Sequence, residues 1–189
     1  ALVQEKKMNK EERQQKFAEI LKAYQALEAK IKQEKGTLVW DTKKGIFGAA
    51  TCERLFAFFE RVGLDQYENF LDIGSGDGRA VLIASLFTKA SGVEIDEALV
   101  EHGKKIQEKL GLDATFVCDD FKTVDFSKFS FLFVNPDQGF HKGLEPKLLK
   151  EMSKDAVLWS NNNIFLPEKL KRERAIWIEQ IPIIEYKNK

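Results

Sequence analysis

Leu71-Asp72-Ile73-Gly74-Ser75-Gly76-Asp77-Gly78-Arg79 is the stretch on which the reading of this chain turns. The run Phe70 to Ile73, apolar except for Asp72, gives way to glycines at every second position, Gly74, Gly76 and Gly78. Apolar periodicity resumes at Ala80, Val81, Leu82 and Ile83. That order is a buried strand, a glycine turn and a helix start. Glycine lets backbone pass close to a ligand without a Cβ clash. A helix N-terminus offers unpaired N–H groups to an anionic group. Together they form the nucleotide-binding corner of a doubly wound fold. The dinucleotide form of this corner, G-x-G-x-x-G, wants its third glycine at position 79. Arg79 stands there, and the third glycine comes one residue early.

Two further strand ends carry acids. Ser91-Gly92-Val93-Glu94-Ile95-Asp96 reads as a second strand, with Glu94 22 positions after Asp72. A carboxylate there can accept both ribose hydroxyls of a nucleoside. Asp96, followed by Glu97, fits the N-cap of a helix over 97–110. A third strand over 114–118 is followed by Asp119, Asp120 and Phe121. With its D-x-G-x-G-x-G turn and these acids, the chain resembles the class I, seven-β-strand, Rossmann-like S-adenosylmethionine-dependent methyltransferases. The resemblance implies S-adenosyl-L-methionine as cofactor. It places the methionine part of that cofactor on the turn, at Asp72, Gly74, Ser75, Gly76 and Gly78. It also places Asp120 on the adenine amino group with Phe121 beside the ring.

The 189 residues suffice for one domain with a sizeable core, and 15 Phe supply much of it. Thirty basic and thirty acidic residues cancel, so no global basic footprint points to nucleic acid. A protein substrate is the expected partner, and a nucleic-acid substrate would need a local patch. Cys52 and Cys118 both sit in apolar segments and read as buried free thiols. Together with His102 and His141 they make no metal-binding spacing. No apolar stretch is long enough to span a bilayer, and the start lacks a signal-peptide core, so a cytoplasmic location is expected.

Residues 1–35 read as a charged helical extension and 36–189 as the methyltransferase domain. In the extension, Phe17, Ile20, Leu21, Tyr24, Leu27 and Ile31 form a narrow apolar stripe, and Gly36 supplies a C-cap. The helix packs on the chain's own domain, the favoured reading, makes a dimer, or serves as a basic arm for a partner. Gly36 to Gly48 reads as a connector and Thr51 to Val62 as a helix. The alternating part predicts strands over 67–73, 91–95, 114–118, 129–135, 155–160 and 175–185. Helices are predicted over 78–88, 97–110, 142–153 and 167–174. This pattern predicts an α/β, doubly wound, mostly parallel sheet with helices on both faces. Pro182 interrupts the final run, so the closing antiparallel hairpin of the class is expected to be short, irregular or absent. Lys169, Lys171, Arg172 and Arg174 read as an exposed basic helix face.

The end of the fourth strand faces the transferred group in such a sheet. It reads Val134-Asn135-Pro136-Asp137-Gln138. The first two letters match the N-P-P-aromatic motif of amino methyltransferases, and Asp137 and Gln138 depart from it. Over roughly residues 40 to 165 the chain also resembles the non-SET histone-lysine methyltransferases and archaeal lysine methyltransferases. The features are Phe47-Gly48-Ala49-Ala50-Thr51 as a loop over the cofactor, Gly92-Val93-Glu94, Phe133-Val134-Asn135, and the strand Val157-Leu158-Trp159-Ser160-Asn161. The resemblance implies methyl transfer to a protein lysine amine. Thr51 and Asn135 then touch the cofactor. Asn135 also contacts the nucleophile or orients its loop, and Asp137 receives the released proton. Trp40, Phe47, Phe140, Trp159 and Phe165 are candidate walls of an apolar channel, with plain core packing the favoured reading for each of them. Asn161, Asn162 and Asn163 read as a turn, the favoured reading, or as substrate-facing polar groups. The rivals are an N-methyltransferase of an RNA or DNA base, and an inactive binding subunit of the same fold.

Overall fold

The structure, a computed structural model, describes residues 8–42, 45–136 and 143–189. A hairpin of β1 (Trp40–Thr42) and β2 (Gly45–Phe47) precedes the main sheet. That sheet contains β3 (Asn69–Ile73), β4 (Lys89–Glu94), β5 (Thr115–Cys118), β6 (Phe131–Val134), β7 (Val157–Asn161), β8 (Lys171–Ile178) and β9 (Ile181–Lys187). The helices are α1 (Lys10–Lys35), α2 (Cys52–Val62), α3 (Arg79–Ala84), α4 (Glu97–Leu110) and α5 (Leu144–Glu151). The strand order is β5-β4-β3-β6-β7-β9-β8, with β9 antiparallel to both its neighbours and the other pairs parallel. The chain steps outward from β3 to β5 and then returns to lay β6 on the other side of β3. The switch point therefore lies between β3 and β6, with Asp72 opposite Phe133 and Ile73 opposite Val134. Ligands of open α/β sheets bind outside the carboxyl ends of the strands at that point.

The central strand explains the two-sided core. Phe131, Leu132, Phe133 and Val134 are all essentially without exposure, as a strand covered on both faces requires. Phe131 and Phe133 turn to one face and meet Phe58 and Phe59 of α2, whose ring centroids lie 5.9–6.5 Å away. Leu132 and Val134 turn to the other face, in the cluster that holds Leu144 and Leu148 of α5. Each aromatic pair adds about 0.5–1.5 kcal/mol beyond the area it buries. Helix α2 starts where the Thr51 hydroxyl accepts from the Arg54 N–H and stops at left-handed Gly63.

Helix α1 is closed at its start by a reciprocal box. The Asn9 side chain accepts from the Glu12 N–H at 2.9 Å, and the Asn9 N–H donates to the Glu12 carboxylate at 2.8 Å. Gly36, φ 73°, ends it. Its stripe buries Ile20, Tyr24 and Ile31. Phe17 stacks on Phe56 at 4.2 Å, and Arg13 pairs with Asp65 at 3.2 Å. The apolar face proposed for a dimer is therefore covered by the chain's own core, the favoured of the sequence readings. Ile20 and Tyr24 belong to the same buried cluster as α2 and α3.

Four expectations change. Residues 167–174 are not a helix, because β8 begins at Lys171 and its basic residues lie on the outer strand of the sheet. Charges on an edge strand oppose edge-to-edge pairing, which accounts for them there. The closing hairpin is neither short nor absent, with β8 and β9 running eight and seven residues, and its pairing is irregular where the register shifts between Arg172 and Arg174. Pro182 is tolerated because it lies beyond the last β7 pair, Asn161 with Ile183, and its carbonyl accepts from the Asn162 N–H. Helix α3 is also shorter than predicted, ending at Ala84. Cys52 is buried as expected, whereas Cys118 is exposed. Among the described residues no helix is long and apolar enough to cross a membrane.

Candidate functional site

A cavity of about 260 Å³ opens at the switch point. Asp72, Gly74, Ser75, Gly76, Glu94, Asp120, Phe121 and Asn135, all expected from the sequence, line it together. The glycine loop is tied to β4, since the Gly74 and Ser75 N–H groups donate to the Val93 carbonyl at 2.9 and 3.0 Å. Gly76, φ 53°, leaves no room for a side chain: a Cβ there would come within 2.8 Å of the Phe47 ring. Gly78 is not part of the lining. Its missing Cβ makes way for Phe116 of β5, which would lie 2.6 Å from it, and for the Gly103 backbone of α4 at 3.2 Å, so this glycine serves packing against both elements.

Two buried polar atoms in this cavity have no hydrogen-bond partner, Asp72 Oδ1 and Ser75 Oγ. Burial, then the charges of Glu94 and Asp77, push the Asp72 carboxyl well above the usual carboxylate range. A site with an orphaned acid and an orphaned hydroxyl suits a polar or cationic ligand that completes them.

Glu94 is anchored through backbone. Its Oε2 accepts from the Gly76 N–H at 2.9 Å, and its Oε1 accepts from the N–H groups of Ile95 and Asp96 at 2.8 and 2.9 Å. These bonds leave Oε2 able to accept from a further donor. Asp96 caps α4, accepting from the Ala98 and Leu99 N–H groups. Asp120 caps a short 3-10 turn by accepting from the Lys122 N–H at 3.0 Å. Ile95, Leu99 and Phe121 give this end of the cavity an apolar surface.

At the carboxyl end of β6, the Asn135 Nδ2 donates to the Gly48 carbonyl at 3.1 Å, and its Oδ1 accepts from the Asn161 Nδ2 at 2.8 Å. A carbonyl only accepts, so Gly48 fixes which way the Asn135 amide points, and that in turn requires Asn161 to donate. Asn161 is the last residue of β7 and is 4% exposed. The favoured reading as a turn therefore holds from Asn162 onward and not for Asn161, which ends a strand. Phe47 and Phe133 line the cavity, and Trp40 leans on Phe47 at 4.6 Å. Trp159 and Phe165 are buried in the two cores, the core-packing reading that the sequence favoured for each over a channel wall. Thr51 is spent as the α2 cap and is not among the lining residues, whereas Ala49 and Ala50 are. Asp137 and Phe140 lie outside the described residues. Among the described residues no His, Cys, Asp and Glu cluster could hold a metal ion.

Sequence reasoning passed over Asp77 and Arg79 as a pair. Both line the cavity and both are buried. The available signal was a charge opening an otherwise apolar helix, since a buried guanidinium requires a partner.

The residues fit S-adenosylmethionine. Asp72 and Ser75 would complete their hydrogen bonding on its amino-acid part, Glu94 would accept from its ribose, and Asp120 would accept from its adenine. Comparisons with known proteins agree. The family model described as "Histone methylation protein DOT1" matches residues 41–172. No curated protein matches the chain. An RNA methyltransferase from Salinibacter ruber, solved with S-adenosyl-L-homocysteine, superposes with a TM-score of 0.62 at 20% identity, over 75% of this chain and 93% of that one. A methyltransferase from Geobacter sulfurreducens gives 0.62 at 15% identity, over 87% of each. A ribosomal protein L11 methylase from Lactobacillus delbrueckii subsp. bulgaricus gives 0.58 at 14%, over 71% and 79%. At these identities the structures speak for the fold, and the sequence match speaks for the family. The chain belongs to the DOT1 histone methylation family and is a class I S-adenosylmethionine-dependent methyltransferase.

Proposed function

We propose that this methyltransferase acts on a nitrogen nucleophile, the side-chain amine of a lysine in a protein partner. The observation that carries the reading is Asn135, whose amide is fixed by Gly48 and Asn161 beside the cavity. Its Oδ1 keeps a lone pair that can accept from an amine N–H. The match to a histone methylation family and the zero net charge of the chain both favour a protein acceptor over a polyanion. The cofactor supplies an already activated methyl group, so the chain's task is alignment and proton removal. Phe47 and Phe133 give an approaching amine an apolar flank. Such surroundings disfavour the ammonium form and lower its pKa. Asn135 orients the neutral amine, and Asp137 takes the released proton.

A second reading rests on the Asn135-Pro136 pair, which opens the motif of base and amide methyltransferases. One experiment separates the two. Cell extract incubated with the enzyme and radiolabelled cofactor is divided between protease and nuclease. Label should be released by protease and recovered as methyl-lysine after acid hydrolysis. Label that resists protease and is released by nuclease would refute the lysine proposal. In the same assay, Asn135→Ala should slow incorporation on the order of 100-fold, the scale of a misplaced nucleophile. Cofactor affinity measured by calorimetry should change far less. A parallel loss of both would reassign Asn135 to cofactor binding alone.

A further inference from the structure

Asp77 and Arg79 are 2% and 6% exposed, yet neither is needed to build a glycine turn. Their partners explain them. The Arg79 Nη2 pairs with Asp77 Oδ2 at 2.7 Å, and its Nε donates to both Asp77 oxygens at 3.1 and 3.2 Å. The Nη1 donates to Glu28 Oε1 at 2.7 Å and to the Ala50 carbonyl at 3.3 Å. The guanidinium lies 4.9 Å over the Tyr24 ring, and the Tyr24 hydroxyl donates to the Asp77 carbonyl at 2.8 Å. Glu28 and Tyr24 both belong to α1, four residues apart on one face. Residues 76 to 79 are thus held between Glu94, which takes the Gly76 N–H, and α1 on the other side. The Ala50 bond adds the segment that follows Phe47. Helix α1 lies outside the residues matched by the family, 41–172. Burial alone would lower the Arg79 pKa, but the charge and hydrogen bond of Asp77 outweigh it, so the guanidinium stays charged and bound.

We propose that α1 is a working part of the cofactor site. Glu28 and Tyr24 act as positioning residues, which through Arg79 and Asp77 hold the glycine loop in its binding-competent shape. The inference rests on reading the cavity as the S-adenosylmethionine site. With Glu28 and Tyr24 removed, Asp77 and Arg79 still neutralise each other, so the fold survives while the loop loses its outer clamp. A loop that spends a tenth of its time competent binds tenfold more weakly.

The test is calorimetric titration of the intact chain with S-adenosylhomocysteine, well below the unfolding midpoint, together with amide exchange across residues 74–79. Tyr24→Phe/Glu28→Ala should bind about tenfold more weakly and exchange faster in the loop. Glu28→Gln, which keeps an acceptor for Nη1, should recover most of the affinity when paired with native Tyr24. Arg13→Ala removes the ion pair that ties α1 to Asp65, and serves as the comparison. It should lower the unfolding midpoint and leave affinity unchanged. Unchanged affinity in Tyr24→Phe/Glu28→Ala would overturn the inference. So would equal losses in that variant and in Arg13→Ala, since α1 would then act only through stability. If the double variant fails to fold, Tyr24→Phe alone decides, with about threefold weaker binding expected and none overturning. A wild-type chain that binds no S-adenosylhomocysteine would instead overturn the reading of the cavity itself.

Discussion

Glu94→Ala should weaken binding of S-adenosylmethionine, and of its demethylated product, on the order of 100-fold in calorimetric titration. Two losses combine. The carboxylate oxygen that can still accept from a ribose hydroxyl disappears, and hydrogen bonds to a charged group contribute about 1.5–3 kcal/mol each. The anchor of the Gly76 N–H disappears with it, so the loop that lines the other side of the cavity loosens. The effect should be confined to the site. Helix α4 keeps its own cap, because Asp96 still accepts from the Ala98 and Leu99 N–H groups. The unfolding midpoint should therefore move little while affinity collapses. Glu94→Gln keeps one accepting oxygen, and its loss should be intermediate. Near-normal affinity in Glu94→Ala would mean that the ribose is held elsewhere.

Glu94 was legible in the sequence because everything that places it is local: an apolar run, its end, and a set distance from Asp72. The same holds for Thr51 to Val62 and for 97–110, which carry their caps and apolar faces within a dozen residues. The last hairpin carries no such signal. The two residues joining β8 to β9 are Glu179 and Gln180, with φ 50° and 65°. A two-residue hairpin loop of that kind usually announces itself with Asn or Gly. Lys171 to Arg174 are all exposed, so β8 shows no alternation until Ile176 is buried against the core. A stretch of Lys, Arg and Glu favours a helix by local propensity, and pairing with β9 overrides it. The Asn161 contact was hidden for a different reason. Its partner Asn135 is 26 residues away, and only the parallel pairing of β6 with β7 brings the two strand ends together.

The clamp on Arg79 shows the same limit at longer range, since Glu28 lies 51 positions from it. The composition of α1 looks like a solvated charged helix. One of those charges, Glu28, is nonetheless a partner of Arg79 at the end of the glycine loop. A charge can be assigned to solvent or to a site only once the helix face it sits on is known.

Asp72→Asn should change stability and binding in opposite directions. The Asp72 carboxyl is buried without a partner for Oδ1, and its pKa in the folded chain lies well above its unfolded value. The folded chain therefore holds this proton more tightly than the unfolded one. Stability then falls as pH rises from the unfolded pKa through the folded one, because the unfolded state sheds its proton first. Asparagine has no proton to lose. In the absence of cofactor, Asp72→Asn should be the more stable protein at neutral and alkaline pH, by about 1–3 kcal/mol, the scale of a buried unsatisfied polar group. The advantage should shrink as pH falls toward the unfolded pKa, which denaturant titrations between about pH 5 and pH 8 would show. Binding runs the other way. A cofactor with a cationic amino-acid part favours the ionised acid, so wild-type affinity should rise with pH and binding should release a proton. Calorimetry in two buffers of different ionisation enthalpy reads that proton directly. Asp72→Asn should bind at least about tenfold more weakly, with a flat pH profile, since an uncharged amide replaces a charge-assisted partner. If the variant gained stability but kept full, pH-dependent affinity, Asp72 would be a buried acid with no part in binding.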